Sequence, residues 1–148
     1  MSFRFPLQAV LDFRKSLERQ EELRLLAANH VVANIRQQIE QLGHAIQQRR
    51  AERSEDLARG TSMAEINFAL QIEIRLEHTQ QILDAELRRV SQMRDRQQER
   101  FQSARRERET FELLREDQFS EYQRDQNRRA QKELDEMFLL RQARRTHG

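Results

Sequence analysis

The side chains that could do chemistry here are histidines, carboxylates and arginines. His30, His44, His78 and His147 are scattered along the chain. No two have a spacing that would bring them onto one metal, which needs several converging ligands. There is no cysteine, so thiol nucleophiles, zinc–thiolate sites and disulfides are excluded. Carboxylates are plentiful, but arginines neighbour them throughout. Acid–base catalysis needs a carboxyl group whose pKa is raised in a pocket. Neither GxxxxGK[ST] nor GxGxxG occurs, which removes the phosphate-cradling loops. The reading is a non-enzyme with no cofactor and no metal.

Arginine is the residue in excess. Lys15 and Lys132 are the only lysines among 27 basic residues, and the formal net charge is +2. Its rigid fork of donors suits carboxylates and phosphates. Arg88, Arg89, Arg94, Arg96, Arg100, Arg105, Arg106 and Arg108 stand against Asp95, Glu99 and Glu107. A basic stripe can follow a phosphate backbone. This one has interleaved acids and no aromatic platform for bases. It reads as a solvated helix face laced with i,i+4 pairs, and nucleic acid is not an expected partner.

These side chains need elements to carry them. Apolar residues make up 36% of 148, charged residues 35%, and the mean hydropathy is −1.00. A compact globule is nearer half apolar and a quarter charged, so the core must be a narrow seam between long helices. The chain has one proline and three glycines, too few for many turns. No stretch approaches the ~20 apolar residues of a membrane span, and the opening residues lack the apolar core of a signal peptide. A cytoplasmic protein without membrane insertion is expected.

The expected fold is all-α: a long antiparallel two-helix coiled-coil hairpin, one elongated domain over residues 1–148. Helix one covers about residues 6–57. Leu25, Ala28, Val32, Ile35, Ile39, Leu42 and Ile46 fall in steps of three and four, a heptad seam. Leu7 and Leu11 share its phase, whereas Arg14, Glu18 and Glu21 break it. Val10, Phe13 and Leu17 carry a shifted stripe there, and the seam is expected to drift or change partner. Gly60 ends the helix, and Ser62 with Glu65 forms a capping box. Helix two covers about residues 78–144, with Leu83, Leu87, Val90, Phe101, Ala104 and Phe111 on its seam. Arg94, Gln97 and Arg108 interrupt that seam.

The register has two solutions. A tight turn at Gly60 puts Leu7 near Leu113 and leaves everything from Leu114 onward bare. A longer connection through residues 58–77, including a short helix near the tip, puts Leu7 near Leu134 and covers both terminal apolar clusters. The second is expected. Within the connection, residues 66–76 read INFALQIEIRL, whose strict alternation resembles a strand. No second strand exists to pair with it. On a helix the alternation becomes two rows: Ile66, Leu70 and Ile74, and Phe68, Ile72 and Leu76. One row can pack inward. The other, taken as Phe68, Ile72 and Leu76, is a candidate partner surface.

The ends carry a resemblance. The start reads FRFPLQAVLDFR and the close RRAQKELDEMFLLR. Together they resemble the FliJ family of bacterial flagellar type III export proteins, specifically over about 15 residues at each end. The resemblance implies a non-catalytic coiled coil, similar to the rotor stalk of rotary ATPases. It implies three partners: the hexameric export ATPase, the export gate membrane protein and export chaperones. It implies a location in the bacterial cytoplasm, peripherally at the inner-membrane export apparatus. The matching positions are Phe3, Phe5, Leu7, Gln8, Leu11 and Arg14 at the start, and Gln131, Lys132, Leu134, Asp135 and Glu136 at the close. These are the candidate ATPase-ring contacts, and Phe68, Ile72 and Leu76 the candidate gate contact. A monomeric hairpin is the expected free state. The alternatives are an injectisome export stalk, or a generic coiled-coil adaptor or chaperone with no ATPase partner.

Overall fold

The computed structural model describes residues 2–147. It contains two helices packed against each other, α1 (Gln8–Arg59) and α2 (Met63–His147), and no strand among the described residues. The all-α helical hairpin expected from the heptad seams is what the chain forms. Pro6 lies in the turn that leads into α1, and the Gln8 amide donates to the Phe5 carbonyl at 3.1 Å. Proline suits this position because its missing N–H is an orphan there in any case.

The connection differs from the expectation. It is three residues, Gly60–Ser62, and no separate short helix exists: residues 63–77 are the first turns of α2. Between Gly60 and Gly148 the sequence has neither glycine nor proline, so nothing interrupts the helix once it starts. Gly60 adopts φ +80°, the left-handed region that ends a helix at little cost only for glycine. The Glu65 amide donates to Ser62 Oγ at 3.3 Å, which is the expected cap. The Glu65 carboxylate accepts from Thr61 Oγ1 at 3.2 Å, one residue upstream of the partner a standard capping box would use.

Two glycines give opposite predictions. A Cβ on Gly60 or Gly43 would meet nothing within 4 Å, so only the backbone decides. Gly60→Ala is expected to cost about 1 kcal/mol through its positive φ. Gly43→Ala, inside α1, should stabilise by roughly 0.5–1 kcal/mol. Denaturant unfolding of both variants, with unchanged m, checks the pair.

Tertiary contacts divide the chain into two compact units, Gln20–Gln102 and Met1–Arg19 with Ser103–Gly148. In the first, the core is Val32, Ile35 and Val90, with Ile39 and Leu87 packed against it. Ile46 is also buried. The antiparallel order is fixed by Arg53 Nη1 to Glu73 Oε2 at 2.5 Å, Arg50 to Glu77 at 2.5 Å, and Gln97 Nε2 to the Glu21 carbonyl at 3.1 Å. In the second unit Phe5 and Leu11 are buried. Phe3 stands edge-on to Phe119 with ring centroids 5.2 Å apart, and tilted to Tyr122 at 5.5 Å.

The tight-turn register is therefore the one adopted. Leu7 does not reach Leu134, because a three-residue turn places the whole surplus of α2 beyond Tyr122. The expected drift of the seam near Arg14 does not occur either. From Leu7 in the leading turn and on along α1 the inward positions run 7, 11, 14, 18, 21, 25, 28, 32, 35, 39, 42 and 46, all buried or half-buried. The phase is kept straight through the charged residues.

Among the described residues Glu73 is the one seam carboxylate that is fully buried, at 5% exposure. Arg53 satisfies its Oε2, while Oε1 meets no hydrogen-bond partner among the described residues. Losing Arg53 strands a buried carboxylate, which is costly, whereas losing Glu73 leaves Arg53, whose side chain is 28% exposed and can turn its head to water. Arg53→Ala is expected to destabilise by about 2 kcal/mol, and Glu73→Leu to be neutral or stabilising. Thermal melts of the two variants should move in different directions or differ by several degrees.

Candidate functional site

Three successive inward positions of α1 are charged, and each meets a partner on α2. Arg14 Nη1 donates to Glu107 Oε2 at 2.5 Å, and its guanidinium lies 5.9 Å from the centre of the Phe111 ring. That distance suits a cation–π contact. Arg108 occupies an inward position of α2. Its Nε donates to Glu18 Oε2 at 2.6 Å and its Nη2 to Glu18 Oε1 at 3.2 Å, a bidentate fork. Its Nη1 donates to Glu112. Glu18 first, then Glu112, hold the Arg108 pKa above the ordinary arginine value, so it stays charged at every accessible pH. In the other unit, Gln97 Nε2 donates to Glu21 through both the backbone carbonyl and the side chain. The sequence showed these as interruptions. They are complementary polar layers, and matched charges let a coiled coil keep its phase where apolar pairs are missing.

The residues of INFALQIEIRL fall on both sides of the seam. Ile66, Ala69, Ile72 and Leu76 are half-buried and Glu73 is buried, whereas Phe68, Leu70 and Ile74 are exposed. The two rows do not divide into one inside and one outside. Each i,i+4 step rotates about 40° around the helix. The row Ile66–Leu70–Ile74 therefore starts at the seam and leaves it. The row Phe68–Ile72–Leu76 starts outside and enters it. Of the candidate gate contact only Phe68 is freely exposed, at 66%; Ile72 and Leu76 also belong to the core.

The two terminal sets separate as well. Phe5 and Leu11 are buried, and Phe3, Leu7, Gln8 and Arg14 are half-buried. Gln8 Oε1 accepts from Arg115 Nε at 3.0 Å. Gln131, Lys132, Leu134, Asp135 and Glu136 are all exposed and lie past the last contact α1 makes. The Gln131–Asp135 hydrogen bond at 3.1 Å stays within α2. The structure does not bring these five residues to Phe3, Phe5 or Leu11.

Beyond Tyr122 every described residue is exposed except half-buried Gln126. The inward heptad phase continues there as Asp125, Arg129, Lys132 and Glu136, which is useless as an apolar seam and explains why nothing packs on it. The apolar residues of this segment are gathered elsewhere. Leu134, Met137, Phe138, Leu139 and Leu140 are 53–63% exposed. Four consecutive helical residues point in four directions about 100° apart. Met137–Phe138–Leu139–Leu140 thus forms an apolar collar right around the helix. A flat surface could cover only half of it. Glu136, Leu139 and Leu140 line a shallow depression on the same level, and Arg141, Arg144, Arg145 and His147 follow.

No metal-ligating cluster occurs among the described residues, and among them no helix is long and apolar enough to cross a membrane. The class defined by this architecture is an all-α helical hairpin whose longer helix ends in a bare, exposed segment. The family model for the flagellar FliJ protein matches residues 3–147, nearly the whole chain, and the chain belongs to that family. It is accordingly a protein of the flagellar export apparatus. Comparison with curated proteins and with solved structures gave no match.

Proposed function

We propose that this chain is a non-catalytic stalk that promotes assembly and activity of the hexameric export ATPase and links it to the export gate and to export chaperones. The observation that carries this reading is the collar. Exposed apolar surface of this kind marks a partner site, and one that runs right round a helix asks for a partner that surrounds it. A ring of six subunits is such a partner. Gln131, Lys132, Leu134, Asp135 and Glu136 lie on the turns just before the collar and join it as ring contacts. Phe3, Phe5, Leu7, Gln8, Leu11 and Arg14 act behind it, bracing α2 where it leaves α1.

The gate contact is assigned to the flank that holds Phe68, with the accessible edges of Ile72 and Leu76. Phe68→Glu is the informative variant, since changes at Ile72 and Leu76 would also disturb packing. The chain works in the cytoplasm, peripherally at the inner-membrane export apparatus, as a monomeric hairpin when free.

The test is addition of the purified chain to the export ATPase. ATP turnover and the hexamer fraction should both rise and saturate. Unchanged turnover and hexamer at saturating concentration would refute the proposal and leave the generic adaptor.

A further inference from the structure

We propose that residues 2–19 form a strap that unlatches from α2 as ionic strength rises, because its grip is largely built from charged pairs. The grip has two parts. An apolar part lies at its start, with Phe3 on Phe119 and Tyr122, and with Phe5 and Leu11 buried. The rest is ionic, Arg14 on Glu107, Glu18 on Arg108 and Lys15 at 3.9 Å from Glu112, with one charged-to-neutral hydrogen bond from Arg115 to Gln8. Along residues 32–46 the grip is different, since Val32, Ile35 and Val90 close on one another without any charge; the ion pairs of that unit, Arg50–Glu77 and Arg53–Glu73, lie nearer the turn.

Salt acts unequally on these two grips. The side chains of Arg14, Glu107, Lys15 and Glu112 are 31–51% exposed, so dissolved ions reach them. Screening shortens the range of such attractions from about 10 Å at 0.1 M to about 3 Å at 1 M. The apolar grip is not weakened in this way. Arg14 Nε is buried and has no hydrogen-bond partner among the described residues, a further cost of the closed state that opening relieves. The helical part of the strap, residues 8–19, is the N-terminal end of α1, and end turns that lose their packing fray. Detachment therefore melts it and exposes its amides. It also bares Leu11 and Phe5 on the strap, and Phe111 and Phe119 on α2.

The proposal stands apart from the ring contact and does not depend on it. Hydrogen–deuterium exchange of the full chain reads it at about 0.02 M and about 0.5 M NaCl. Amides of residues 11–19 should exchange about fivefold faster at the higher salt, while those of residues 32–46 change less than twofold. The double variant Arg14→Leu/Glu107→Leu replaces the closest of the strap's exposed ion pairs by an apolar one, and it should abolish most of the salt response. Equal protection and equal salt response in the two segments would overturn the proposal. So would a salt response that survives unchanged in the double variant.

Discussion

Replacing Met137, Phe138, Leu139 and Leu140 together by glutamine is expected to abolish stimulation of the export ATPase while leaving the hairpin's melting temperature unchanged. These side chains are 53–63% exposed, so the fold gains almost nothing from them. Glutamine has a helix propensity close to that of leucine and methionine, and α2 should stay helical. If a ring closes on the collar, each side chain loses the rest of its exposure to water. Full burial of such a side chain is worth about 1.5–3 kcal/mol, so covering the part still exposed contributes at least about 1 kcal/mol per residue. Four such residues sum to about 4 kcal/mol, or roughly a thousandfold in affinity. ATP turnover titrated with wild-type and quadruple-variant protein measures the shift directly. A quadruple variant that still activates at the wild-type concentration would remove the collar from the account.

The second large effect is on stability. Leu11→Ala should cost about 3 kcal/mol, in the range found when a fully buried leucine is truncated. Leu11 is 1% exposed and Phe5 7%, so the unit formed by the N-terminal segment and residues 103–147 has few apolar residues to lose. Leu139→Ala, one methylene series removed from a 62% exposed side chain, should stay within about 0.5 kcal/mol. Chemical denaturation of both variants, followed by circular dichroism, distinguishes them. The pairing matters because the two leucines have equal hydropathy and similar helical surroundings in sequence. Only the length of α1 separates them: one faces the partner helix and the other lies beyond its reach.

That difference shows what was legible in the sequence and what was not. The period of three and four from Leu25 to Ile46 specified helix one, its inner face and the hairpin. Gly60, Ser62 and Glu65 specified the turn. Register was not legible, because covering the terminal apolar residues favours a longer connection while Gly60, Ser62 and Glu65 favour a tight turn. The logic of covering fails where a tight turn leaves apolar residues of the longer helix exposed. Met137–Leu140 stay bare not for want of apolar surface to meet, but because α1 is short and the turn is tight. Arg14, Glu18 and Glu21 looked like a break for a related reason. A one-dimensional pattern scores each as polar, whereas Glu107, Arg108 and Gln97, 76 to 93 residues away, turn each into a paired layer. A test of charge complementarity at the tight-turn register would have found them.

The strand-like run INFALQIEIRL follows the same rule. Its period of two was real, but α2 has no breaker to free it from the helix. Rotation of about 40° per i,i+4 step then shares each apolar row between seam and solvent. Phe68 remains as the exposed part of the proposed gate contact, and Ile72 and Leu76 hold the hairpin closed beside Glu73.

The central claim is that one bare helix end is surrounded by one ring. The stoichiometry of the complex with the export ATPase tests it most directly, by native mass spectrometry in the presence of a non-hydrolysable nucleotide. One copy of this chain per six ATPase subunits is expected, lost in the quadruple glutamine variant. Six copies per hexamer, or a complex that persists without the collar, would contradict it.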